Sequence, residues 1–114
     1  MKRGAAFEQA ACQYLTERGL VLLARNYRTR YGEIDLVMRD GATLVFVEVK
    51  YRSTSAYGSP LEAVDFSKQN RIKRTALFYL AETNCCYDVV RFDVVGITKI
   101  GENVKYRWVK GAFQ

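Results

Sequence analysis

The chain has no histidine, a single proline and only three cysteines among its 114 residues. Without imidazole there is no Ser-His or Cys-His nucleophile, no histidine general base and no histidine-bearing zinc site. A hydrolase built from this sequence must work with carboxylates, lysine and water held by a cation. P-loop, G-x-G-x-x-G and G-x-S-x-G patterns do not occur, which removes the usual support for ATPase, dinucleotide or esterase chemistry. Cys12, Cys85 and Cys86 lack metal-ligand spacing, and an odd count with one adjacent pair suits a reducing compartment. No apolar run approaches the roughly 20 residues that a membrane-spanning helix needs. Repeats, low-complexity tracts and linkers are missing too, so one domain over residues 1–114 is expected, with no membrane partner. Glu8 arrives before any apolar stretch, so no secretory signal is read at the start and a cytoplasmic protein is expected.

Lysine and arginine number 18 against 12 acids, a net charge of +6. That balance favours a polyanionic partner, through attraction to phosphates and release of their counterions. A mildly basic, solvated surface is the plainer alternative. Residues 5–18 read as a helix stopped by Gly19 at its C′ position. Residues 20–26 read as a strand, residues 33–39 and 43–50 as a hairpin, and residues 88–97 and 104–109 as two further strands. A capping box at residues 59–62, with Pro60 at the first helical position, opens a helical stretch that runs to about Glu82, with a candidate break near Asp65-Phe66-Ser67. The order is α-β-β-β-α-β-β, an α/β domain with a central mixed sheet of about five strands flanked by helices. Both hairpin faces are apolar, so helices should cover both.

The chemistry concentrates on the hairpin. Asp40-Gly41 between apolar runs predicts a type I′ turn that pairs Arg39 with Ala42. Side chains alternate along a strand, so Glu33, Asp35, Val37, Leu44, Phe46, Glu48 and Lys50 share one face. Asp35 and Glu48 become diagonal neighbours, roughly 7–8 Å apart at the backbone. Two carboxylates at that reach can share one divalent metal. Charges in so apolar a pair of strands need a partner to offset their desolvation.

Other residues extend the constellation. Glu8 aligns with Ala11, Cys12 and Leu15 on an apolar helical stripe. It therefore faces the sheet and can complete a metal site, or else it stabilises the helix N-terminus through the dipole. Gln69 aligns with Ile72, Ala76 and Tyr79, where it would orient water or a phosphate, or cap a sheet edge. Lys68, Arg71 and Arg74 form an outward basic row. With Arg28, Arg30, Lys50, Arg52 and Lys73 they make a candidate phosphate-binding surface, among which Tyr27, Tyr31, Tyr51 and Tyr57 could stack on bases. Hard oxygen ligands suit Mg²⁺ or Mn²⁺, and an ammonium one pleat beyond Glu48 can serve the attacking water.

The pattern resembles a known group. Gly32-Glu33-Ile34-Asp35-Leu36, residues 45–52 ending Glu48-Val49-Lys50-Tyr51-Arg52, Tyr57-Gly58, Lys68-Gln69, Arg91-Phe92-Asp93-Val94-Val95 and Ala112-Phe113 are similar to the YraN family of small bacterial proteins. Glu8, Asp35, Glu48-Val49-Lys50 and Gln69 in this order resemble the restriction-endonuclease-like superfamily with its PD-(D/E)xK signature, in the spacing of archaeal Holliday junction resolvases. Ile34 stands where that signature usually carries proline. The resemblance implies Asp35, Glu48 and Glu8 as metal ligands, Lys50 as the catalytic lysine, Gln69 as an accessory catalytic group and Glu33 as a secondary acid. It also implies Mg²⁺ or Mn²⁺ as cofactor, DNA as partner and a homodimer. Arg91 and Asp93 share a face of their strand and are expected to pair structurally.

Three readings follow. The first is a metal-dependent endonuclease, acting on branched or junction DNA. The second is a nucleic-acid-binding or adaptor protein that keeps the fold without hydrolysis. The plainest is a structural salt-bridge cluster of the acids with Lys50 and Arg52.

Overall fold

The computed structural model describes residues 3–52, 64–84 and 87–114. They form α1 (Arg3–Glu17), β1 (Val21–Thr29), β2 (Gly32–Asp40), β3 (Thr43–Arg52), α2 (Phe66–Thr83), β4 (Val89–Ile100) and β5 (Asn103–Phe113), the order expected from the sequence. The capping box at residues 59–62, Tyr57, Cys85 and Cys86 lie outside the described residues. Helix α2 begins at Phe66 behind Asp65, whose extended backbone and side chain make the N-cap by accepting from the Lys68 amide at 2.8 Å. Past the end of α1, Gly19 takes φ +98, a conformation that most residues avoid.

The five strands lie in the order β1-β2-β3-β4-β5, all antiparallel except β3 beside β4. Parallel neighbours cannot be joined by a tight turn, and the connection between them contains α2. Each helix covers one face of the sheet. Ala11, Cys12 and Leu15 of α1 pack on Leu36, Met38, Val45, Val47, Val95 and Ile97. Ile72, Ala76 and Tyr79 of α2 pack on Val37, Leu44, Phe46 and Val94. Each large aliphatic buried in these layers contributes about 1.5–3 kcal/mol relative to exposure. These layers hold Glu8 and the first turns of α2 against the same end of the sheet. Among the described residues, no helix is long and apolar enough to cross a membrane.

Two expectations about the hairpin are corrected. Asp40 pairs with Thr43 and Leu36 with Val47, so the loop residues are Gly41-Ala42 and not Asp40-Gly41. Of those two, only Gly41 has positive φ, +61, as a type II′ turn requires. The register thus slips by two residues, and continuing it sets Asp35 across from Glu48 in place of Phe46. The second correction concerns facing. Ile34 packs with Val37 against α2, whereas strict alternation would place it with Leu36 on the α1 side. Their partners on β1, Tyr27 and Ala24, also both pack on the α2 side although three residues apart. Between them Asn26 takes φ 50, a left-handed conformation that asparagine tolerates better than most residues. The strand pair rolls over at that point, and Asp35 stands opposite.

Candidate functional site

The β2–β3 ladder runs from Asp40–Thr43 to Leu36–Val47 and stops, while β1 and β2 stay paired to Thr29–Gly32. Strand β2 therefore parts from β3 just where Asp35 sits. The Val49 amide spans the gap and donates to Asp35 Oδ2 at 2.8 Å, which fixes the carboxylate in the opening. Glu8 from α1 and Glu33 from β2 converge on it. Among the described residues these three carboxylates form a group with one oxygen of each lying within 4.8 Å of the others. Glu8 thus faces the sheet, as its place on the apolar stripe suggested.

Glu48 occupies the other side of the opening and is buried, 6% exposed. It is not part of the three-acid group; two lysines hold it instead. Lys68 Nζ lies 2.8 Å from Glu48 Oε1, and Lys50 Nζ lies 3.6 Å from the same oxygen. The outward placement expected for Lys68 is therefore corrected. Lys68 stands four residues before Ile72 and eight before Ala76, so it borders the stripe that α2 turns to the sheet, as Gln69 also does. Glu33, Asp35, Glu48, Lys68 and Arg71 line one open cleft, floored by Gly32 and Ile72.

The charges in this cleft are mutually dependent. Burial, then the Glu48 charge, with smaller contributions from Glu8 and Glu33, push Asp35 from 3.8 up to about 8, although the Val49 hydrogen bond acts the other way. Burial and the neighbouring Lys68 ammonium lower Lys50, against the pull of Glu48. Burial opposes the charge on Lys68 as well, but its contacts with Glu48 and Lys50 and the charges of Glu48 and Asp35 together outweigh this, and its pKa rises. Negative charge around Asp35 is left undercompensated. A hard divalent cation suits such a donor set, since all its ligand atoms are carboxylate oxygens.

The remaining expected residues divide into two sets. Arg71 lines the cleft and Arg74 follows one turn along α2, both exposed. Arg28 is exposed and donates to Glu33 at 2.7 Å, and Arg30 lies over the Tyr31 ring. Arg52 closes β3 and is partly buried. Gln69 is not in the cleft; its amide donates to the Val64 carbonyl at 3.1 Å and ties down the chain entering α2. Of the tyrosines, Tyr27 packs edge-on against Tyr79 and Tyr51 stacks on Phe7, so both serve packing. Arg91 and Asp93 do pair. The fully buried Asp93 accepts from Arg91, from the Trp108 indole and from the Gly111 amide, at 2.9–3.0 Å, while Arg91 also reaches Asp40. This network ties β4 to β5 and to the β2–β3 turn, away from the cleft.

Comparison with known proteins agrees with the family resemblance. Residues 7–97 match the model of the uncharacterised protein family UPF0102. A UPF0102 protein of Rhodococcus opacus is 52% identical over 94 residues, covering 82% of this chain and 80% of the relative. One from Stutzerimonas stutzeri is 46% identical over 112 residues, covering 97% and 93%. Another from Syntrophus aciditrophicus is 44% identical over all 114 residues, covering 90% of the relative.

Proposed function

We propose that this chain, which belongs to the UPF0102 family, is a metal-dependent endonuclease that hydrolyses DNA phosphodiester bonds, with branched or junction DNA as its substrate. The observation that carries this reading is the convergence of Glu8 with Glu33 and Asp35, at a cleft that also holds the lysine-paired Glu48 and Arg71. Its resemblance to the restriction-endonuclease-like superfamily and to archaeal Holliday junction resolvases supports the same chemistry, and suggests a homodimer. Asp35, Glu8 and Glu33 would hold Mg²⁺ or Mn²⁺, with Glu48 completing the ligand set once Lys68 yields it. The chemistry supplied by the bound ion is charge neutralisation at the phosphoryl oxygens and a more acidic water.

The chain's own residues do the rest. Lys50 would hold the attacking water and take its proton, a role supported by burial and the neighbouring Lys68, which lower its pKa. As the water oxygen bonds to phosphorus, the bond to the leaving sugar oxygen breaks, and that oxygen takes a proton from solvent. Arg71 at the cleft wall and Arg74 beyond it position the phosphodiester backbone without reading bases. The Lys68–Glu48 ion pair favours a second reading, a non-catalytic nucleic-acid adaptor, because it already satisfies one carboxylate. Titration calorimetry with Mn²⁺ tests the reading at its base. The wild type should bind and Asp35→Asn should not; an equal response from both proteins removes the metal site.

A further inference from the structure

Beside the acidic cleft, the β1–β2 turn is docked tightly on α2. Thr29 and Thr75 hydroxyls lie 3.3 Å apart, and a Cβ on Gly32 would meet Thr75 Oγ1 at 3.3 Å and Arg71 Cβ at 3.4 Å. The Tyr31 amide donates to the Thr29 hydroxyl at 3.1 Å and fixes the turn. This presents the Tyr31 ring to Phe78, with centroids 5.3 Å apart and planes at 28°. The guanidinium groups of Arg30 and Arg74 each lie 5.0 Å from the same Tyr31 centroid. Phe78, backed in this way, remains 46% exposed. Phe78 therefore offers solvent an aromatic surface that is backed by Tyr31 and, through Tyr31, by two guanidinium groups.

Its position matters. Lys68, Arg71, Arg74 and Phe78 succeed one another at three- and four-residue steps, which places them along one side of α2. At the helical rise of about 1.5 Å per residue, Phe78 lies roughly 15 Å from Lys68. A strand whose phosphate enters the cleft can therefore run along the cations to the aromatic pair. The cations of this side also disfavour a second copy of this basic chain as its occupant.

Deepening the nuclease reading on which it rests, we propose that Phe78, supported by Tyr31, Arg30 and Arg74, is a stacking platform for an unpaired base of the DNA strand entering the acidic cleft. Bases in an intact duplex keep their faces stacked on one another. Apart from the terminal pairs, only a single-stranded tail, flap or opened junction arm offers a free face, and stacking one base is worth about 1–3 kcal/mol. The substrate class is accordingly DNA with an unpaired stretch beside the scissile phosphate.

Fluorescence anisotropy in EDTA tests this with a labelled single strand, a blunt duplex and a flapped duplex. Phe78→Ala should weaken binding of the single strand and flap about tenfold while leaving the blunt duplex within about twofold. Phe78→Trp should retain wild-type binding, and thermal melts should show both variants folded. Equal losses on all three DNAs, no loss on any, or no binding of single strand by the wild type would overturn the platform. Because the assay contains no metal, its outcome is separate from hydrolysis. Selective loss with Phe78→Ala but no metal-dependent cutting would keep the platform and remove the nuclease reading, whereas cutting without selective loss would do the reverse.

Discussion

The Lys68 ammonium lies 2.8 Å from Glu48 Oε1, nearer than the 3.6 Å of Lys50, the lysine two residues along the same strand. Glu48 is buried, so without cations beside it a charged carboxylate there would be costly. In the proposed metal site Lys68 would compete with a divalent ion for Glu48, and would have to move aside for the ion to reach that carboxylate.

Lys68→Ala consequently separates metal binding from stability. Loss of a partly exposed ion pair should cost about 1 kcal/mol of stability. Removing the competitor should tighten Mn²⁺ binding about fivefold, the equivalent of about 1 kcal/mol. Calorimetric titration and urea denaturation of the same preparations check both signs. Weaker Mn²⁺ binding would make Lys68 a helper of the site and not its competitor.

The raised pKa of Asp35 sets a stability profile. Its carboxyl ionises at 3.8 ordinarily and at about 8 in the folded chain. Between those values the folded state holds a proton that the unfolded state has lost, so stability must fall as pH rises from about 4 to about 8. The slope reaches at most about 1.4 kcal/mol per pH unit. Asp35→Asn should flatten the profile and be the more stable protein at pH 8. Urea midpoints between pH 5 and 9 measure this in the absence of divalent ions. With Mn²⁺ present the wild type should regain stability at high pH, and binding near pH 7 should release a proton.

Asp93 answers for the fold and not for the chemistry. Asp93→Asn leaves Arg91 with Asp40 alone and weakens the anchors of β5. We expect a loss of about 3 kcal/mol or more, since the carboxylate is fully buried and charge-paired. Trp108, the only tryptophan, donates to Asp93, so its fluorescence should report the change directly. Mn²⁺ affinity should be unaffected in the folded fraction.

Asn26 is tested by two replacements at φ 50. Asn26→Gly should be nearly neutral, whereas Asn26→Val should cost about 1–2 kcal/mol because a branched Cβ opposes the left-handed backbone. Asp35 stands opposite the roll, so the valine variant should also bind Mn²⁺ more weakly. Equal thermal midpoints for both variants would contradict the role given to this residue.

Much of this was legible from residue order. The element sequence followed from periodicity and punctuation, and the Asp40-Gly41 pair located the hairpin even though the loop proved to be Gly41-Ala42. A slip of two residues preserves side-chain parity, which is why Val37, Leu44 and Phe46 still share their expected face. Ile34 escaped because a single left-handed Asn26 in the neighbouring strand rolls the pair, and no pattern of apolar residues encodes that. Glu33 lies with Glu8 and Asp35, and alternation along the strand had already given it the face of that aspartate. Gln69 and Lys68 are adjacent on α2 and border the same stripe, so periodicity could not decide which would enter the cleft. The pull of the buried Glu48 carboxylate decided for the lysine, against the cost of desolvating it.

The central claim is tested most directly by Mg²⁺- or Mn²⁺-dependent cleavage of single-stranded, duplex, flapped and four-way-junction DNA. Wild type, Asp35→Asn and Glu48→Gln should be purified identically and assayed side by side. The account predicts cutting by the wild type alone, abolished by EDTA, with both variants folded and still binding DNA. Binding without cutting by any of the three would contradict it in favour of the adaptor, and cutting unchanged by both substitutions would place the activity outside this cleft.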